Sequence, residues 1–211
     1  MPDIESRDAA TELLRSASNY LVNTEGDYPD VMIDLETLGK RSDSAFVEIG
    51  MVRFDRNTGD YGLCLQVAVD IQSCIDHGLV VDGSTIRWWM QQSDEARAAF
   101  EANQSKAMPL PKALEVMTRF LQEVKGTRVW GNGSRFDLGL PAVAYERLKL
   151  PIPWAFYREF DVRTIVDLGR DIGFDPKRDM PFEGVAHTTL ADCFHQIKYI
   201  TAIRNRLLRR V

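Results

Sequence analysis

What this chain has least of narrows its function first. Among 211 residues there are three cysteines, Cys64, Cys74 and Cys193, with no CxxC pair among them. An odd, sparse set without that spacing excludes a disulfide framework and a thiolate zinc site, and it fits a reducing cytoplasmic compartment. Histidine is equally scarce, at three. No window approaches eighteen uninterrupted apolar residues, so no membrane span is expected. The first residues, MPDIESRDAATELL, are acidic and polar and lack the basic start and apolar run of a secretory signal. A basic excess is missing too: 26 Lys and Arg stand against 31 Asp and Glu, a formal charge of -5. Proteins that coat long stretches of nucleic acid carry the opposite balance. An enzyme whose clustered carboxylates hold metal ions does not need it, because the ions supply the positive field.

What is present is enough apolar sequence, 45%, to bury one core. Residues 3–22 have loose helical spacing through Ile4, Leu13, Leu14, Ala17 and Leu21, and 23–29 read as a linker. The expected organisation is therefore an N-terminal helical extension and linker over 1–29 and one domain over 30–211. Val31-Met32-Ile33 is a short apolar strand ending at Asp34. Ala45–Asp55 and Tyr61–Asp70 are two more strands, joined by the turn residues Asn57-Thr58-Gly59-Asp60, which predicts an antiparallel meander. The rest reads as helices around 84–103, 112–125, 138–150 and 188–210, with a brief strand at 127–131 and a strand or helix start at 161–166. The order predicts a layered mixed α/β domain.

Acids stand where folding does not ask for them. Asp34 and Glu36 are two apart at a strand end and so share a face, where like charges cost energy unless a cation or donors stabilise them. Asp137 closes WGNGSRFD between a strand and a helix, a position that helix capping also explains. His187 opens HTTLADC, in which Thr189 and Asp192 fit a capping pattern. His77 and His195 read as structural.

Taken in order, Asp34 and Glu36 (DxE), Asp137, and His187 with Asp192 (His-x4-Asp) resemble the DEDDh exonuclease superfamily. The stretches DLET, FVEIG, WGNGSRFD and HTTLADC match its texture, and IRWWMQQS looks most like the bacterial and phage group that includes RNase AS-like and DexA-like exonucleases. The resemblance covers residues 30–200 and implies a ribonuclease H-like mixed sheet flanked by helices. It implies a 3′–5′ exonuclease that releases nucleoside 5′-monophosphates from single-stranded RNA or DNA ends. Two divalent ions, Mg²⁺ or Mn²⁺, would be held by Asp34, Glu36, Asp137 and Asp192, with His187 as general base. Thr37 and Leu38 correspond to positions that contact the terminal ribose and wedge against the last base, and Asn132 and Phe136 line the same pocket. Of the adjacent Trp88 and Trp89, which point about 100° apart on a helix, at most one faces a site. Arg204, Arg206, Arg209 and Arg210 read as a solvated helix end. Ile197, Ile200, Ile203 and Leu207 form a stripe that is either core or a homodimer seam, since many family members are homodimers. A catalytically dead copy of the fold, used as an interaction module, is the alternative, and the intact acid set argues against it.

Overall fold

The computed structural model describes residues 20–22, 28–182 and 188–208. Six strands form one mixed sheet: β1 (Tyr20–Val22), β2 (Asp30–Thr37), β3 (Phe46–Phe54), β4 (Tyr61–Ala68), β5 (Arg128–Gly131) and β6 (Glu159–Asp161), in the order β1-β4-β3-β2-β5-β6. The first four pair antiparallel, whereas β5 lies parallel to β2 and β6 parallel to β5. The expected meander is therefore present, and its turn closes with Gly59 at φ +82° and its N–H on the Asp55 carbonyl. One expectation changes at the chain's start. Tyr20–Val22 pair with β4 as a strand and do not continue a helix. An edge strand offers unpaired backbone groups, and Tyr and Val suit extended geometry, so pairing overrides the loose helical spacing. Residues 1–19 lie outside the described residues.

The helices are α1 (Ile71–Asp76), α2 (Gly83–Met90), α3 (Asp94–Gln104), α4 (Leu110–Gln122), α5 (Ser134–Asp137), α6 (Gly139–Arg147), α7 (Val162–Asp171), α8 (Pro176–Asp179) and α9 (Thr189–Leu207). Position 161 proves to be both readings at once: Asp161 ends β6 and caps α7 by accepting from the Thr164 N–H.

Strand alternation sorts the core into two layers. Val31, Ile33 and Leu35 of β2 face the α4 and α6 side, with Leu114, Phe120 and Leu140. Met32 faces the other side, with Trp130, Val166, Ile197, Ile200 and Ile203. The apolar stripe of α9 is thus core and not a dimer seam, with Leu207 left exposed beyond it. By the same alternation Asp34 and Glu36 continue Met32's row, toward α9. At the far end of β2, buried Asp30 accepts from Arg128 Nε at 2.7 Å and Trp130 Nε1 at 2.8 Å, which ties β5 alongside it. All three cysteines are buried and free. Among the described residues no helix is long and apolar enough to cross a membrane.

Candidate active site

The site forms where the C-terminal end of β2 meets the first turn of α9. Carboxylate oxygens of Asp34, Glu36 and Asp192 all lie within 4.8 Å of one another. Two glycines make that approach sterically feasible. Gly50 on β3 pairs with Asp34, and a Cβ there would lie 2.5 Å from Thr189 Cβ. Gly131 on β5 pairs with Ile33, and a Cβ there would lie 2.8 Å from Asp137 Cβ. The strands on both sides of β2 are thus bare where the helices carrying the third and fourth acids press in. The bare Cα of Gly131 is room for Asp137.

Burial and crowding set the protonation of these acids. Asp34 is held well above the ordinary carboxylate range, first by burial and then by the charges of Asp137 and Asp192, against a hydrogen bond from Gln196 Nε2 at 2.9 Å. Burial, then Glu48, Asp192 and Asp137, push Glu36 up to about 8. Asp137 rises to about 7 through burial, opposed by the Asn132 backbone N–H and the Arg163 charge. Asp137 is not an N-terminal helix cap: it is the last residue of α5, whose N-terminal flank is Gly133, which makes no side-chain cap. Thr189 does not cap either, since its hydroxyl donates to Glu48 at 2.7 Å.

The donor set tests whether a cation fits. It is all carboxylate oxygen, which suits hard Mg²⁺ or Mn²⁺. Nearby Cys193 is fully buried, and burial keeps its thiol protonated, so no thiolate competes as ligand. Raised carboxylate pKa values in mutual contact are the mark of a site short of positive charge. Gln196 adds a buried Oε1 with no hydrogen-bond partner among the described residues. A divalent cation fits.

Beside the acids opens a cavity of about 580 Å³, lined by Glu36, Thr37, Lys40, Arg87, Trp88 and Phe136 among others. Trp88 is exposed at its rim. Trp89 instead packs on Phe100, ring centroids 4.9 Å apart, and donates Nε1 to the Thr37 carbonyl at 3.1 Å. Leu38 departs from expectation. It is 1% exposed, inside the core, with its N–H on the Ala45 carbonyl and its own carbonyl taken by Asp82 N–H. A side chain packed there does not reach the cavity. Asn132 borders a different cavity, of about 390 Å³, with Asp192, Arg163 and His195. The His195 ring contacts Phe182 and Tyr199, and His77 Nδ1 bonds the Ser73 carbonyl at 2.7 Å. Arg206 lies over the Phe174 ring at 3.9 Å and Arg204 reaches Asn57, as a solvated helix end does; Arg209 and Arg210 lie outside the described residues. His187 also lies outside them.

Two residues of the site were not singled out from the sequence. Glu48 is 4% exposed and accepts from Gln66 Nε2 at 2.6 Å, from Asn103 Nδ2 and from Thr189. Its signal was a lone acid inside an otherwise apolar strand, FVEIGMV. Gln196 lies four residues after Asp192, one helical turn on, so the two share a face of α9.

Comparison with known proteins decides the family. Residues 29–204 match the model of the 3′-5′ exoribonuclease Rv2179c-like domain. The chain belongs to that family. This Rv2179c-like protein is a 3′–5′ exonuclease. It is also 26% identical over 196 residues to the exodeoxyribonuclease of Enterobacteria phage T4, covering 80% of this chain and 86% of the relative. Among solved structures, the fold is shared with S. pombe Pop2p in its Mg²⁺- and Mn²⁺-bound form, at 13% identity, 97% and 89% coverage and a TM-score of 0.58. It is shared with the DEDDh nuclease domain of 3′hExo bound to rAMP, at 15% identity, 88% and 94% coverage and a TM-score of 0.53. E. coli Exonuclease I with a dA16 oligonucleotide aligns at 15% identity and a TM-score of 0.62 over 85% of this chain, which spans 41% of that longer protein. The ribonuclease H-like arrangement of the chain is thereby established.

Proposed function

We propose that this exonuclease removes nucleoside 5′-monophosphates from the 3′ end of single-stranded nucleic acid, using two divalent ions held by Asp34, Glu36, Asp137 and Asp192. The observation that carries the reading is the triad of carboxylates within 4.8 Å at the edge of a cavity of about 580 Å³. Bound there, the ions lend positive charge to the attacking and leaving oxygens. The chain's own groups do the rest. Trp88 offers an aromatic face to the terminal base, with Phe136 lining the same space. The Thr37 hydroxyl already donates to the Gly39 carbonyl at 2.9 Å, which leaves its oxygen free to accept from the terminal ribose. His187, two residues before α9 in sequence, accepts the proton of the attacking water, its ordinary pKa near 6.5 being matched to neutral pH.

The family description names RNA and the phage relative is named for DNA. We propose that both sugars enter, because the charged and aromatic groups of the cavity address phosphate and base. Matched single-stranded RNA and DNA, 5′-labelled and bearing a 3′-hydroxyl or a 3′-phosphate, with internally labelled circles beside them, test the proposal with Mn²⁺. The 3′-hydroxyl forms should shorten stepwise, whereas the 3′-phosphate puts like charge against Glu36 and should persist. Cutting of the circle would overturn the reading.

A further inference from the structure

A second cavity, of about 810 Å³, adjoins the first, and Lys40 and Phe136 line both. Its other charged lining residues are Arg41, Asp43, Arg135, Asp161 and Arg163. The two acids are already engaged. Asp43 takes two hydrogen bonds from Arg41 at 2.9 Å, and Asp161 accepts from the Ser134 N–H at 2.6 Å and caps α7. Lys40, Arg135 and Arg163 are exposed and form no ion pair among the described residues. They come from three separate places, the loop after β2, helix α5 and the first turn of α7, and converge on one trough. The turn before α5 contributes to this. Gly133 holds φ +112°, a conformation that favours glycine, and the Arg163 guanidinium lies close over the turn, 3.1 Å from where a Cβ would stand. Cations without an ion-pair partner among the described residues, gathered on a chain of net charge -5, make a local positive field against an acidic background.

We propose that this trough binds the sugar-phosphate backbone of the nucleotides on the 5′ side of the scissile bond, with Arg135 and Arg163 on successive phosphates and Lys40 at the step between the two cavities. The inference rests on the exonuclease reading of the first cavity. On that reading the first cavity takes the terminal nucleotide, and a longer strand leaving it past Lys40 and Phe136 would enter the trough. The ligand chemistry is the phosphodiester backbone, common to RNA and DNA, so the trough sets affinity and the strand's path without reading sequence or sugar.

Arg135 is the residue to test, because it is exposed, unpaired among the described residues and absent from the lining of the first cavity. Anisotropy of 5′-fluorescein RNA and DNA decamers gives Kd over a range of salt, with a nucleoside 5′-monophosphate, which the first cavity alone accommodates, as control. Arg135→Ala should raise the decamer Kd about fivefold and reduce the slope of log K against log salt by about 0.7, one single-strand phosphate contact. Arg135→Glu should raise Kd at least tenfold for both sugars, and the monophosphate Kd should stay within about twofold. Decamer Kd values within twofold of the parent in both variants overturn the trough. A parent that binds the decamer more tightly than its variants but does not shorten it with Mn²⁺ upholds the trough and removes the nuclease reading.

Discussion

Thr189 Oγ1 donates to Glu48 at 2.7 Å across 141 positions of sequence, tying the first turn of the helix that carries Asp192 to the strand residue paired with Glu36. Removing Glu48 strands donors on the half-buried Gln66 and Asn103 and on the buried Thr189. Glu48→Ala should therefore cost about 3 kcal/mol in urea unfolding. Glu48→Gln keeps most acceptor contacts but drops the charge that helps raise Glu36, so Mn²⁺ binding should extend to lower pH. An unchanged pH dependence in a folded Glu48→Gln would show that the two carboxylates do not communicate.

Metal-free protein should lose stability as pH rises. Glu36 and Asp137 have folded values of about 8 and about 7, above the unfolded values near 4, so between these limits the native state binds more protons than the unfolded chain. Their stabilising contribution is present below about pH 4 and lost as pH climbs through 7 to 8. Thermal melts in chelator from pH 5 to 8.5 should fall, and saturating Mn²⁺ should reverse the fall, adding about 2.7 kcal/mol at a hundred times Kd. Asp34→Asn should melt higher than the parent without metal and lose most of the Mn²⁺ response.

Gly50→Ala and Gly131→Ala place a methyl against Thr189 and Asp137 at 2.5 and 2.8 Å. Each should cost about 1–3 kcal/mol by overpacking and weaken Mn²⁺ binding, because the helix-borne acids are pushed from β2. Calorimetric titration with Mn²⁺ checks this; parental affinity in both variants would mean that the close approach is not needed for ligation.

The two tryptophans should part company. Trp88→Ala, at the cavity rim, should weaken binding of an oligonucleotide by about 1–3 kcal/mol with little change in melting. Trp89→Ala removes the packing on Phe100 and the bond to Thr37, and should cost about 2–4 kcal/mol of stability. Equal destabilisation of both would return Trp88 to a packing role.

His187→Ala should leave the melting temperature unchanged and lower kcat by about 10² to 10⁴, with Mn²⁺ affinity preserved, as removal of a general base does. Activity within a few-fold of the parent would remove His187 from the chemistry.

Local pattern was sufficient wherever the physics is local. The two-residue period of a strand put Asp34 and Glu36 on one face, Asn57–Asp60 closed a hairpin, and the order of the acids marked the superfamily before any contact was known. Tertiary structure decided what depends on partners distant in the chain. Leu38 is in the core because the Ala45 and Asp82 backbones hold its segment there, Trp88 and not Trp89 borders the cavity because Phe100 packs against its neighbour, and Tyr20–Val22 extend because β4 offers an edge. Glu48 became part of the site only when α9 docked on β3, more than a hundred residues away. A strand's period is written in adjacent residues, whereas the burial of a charge depends on which distant surface closes over it.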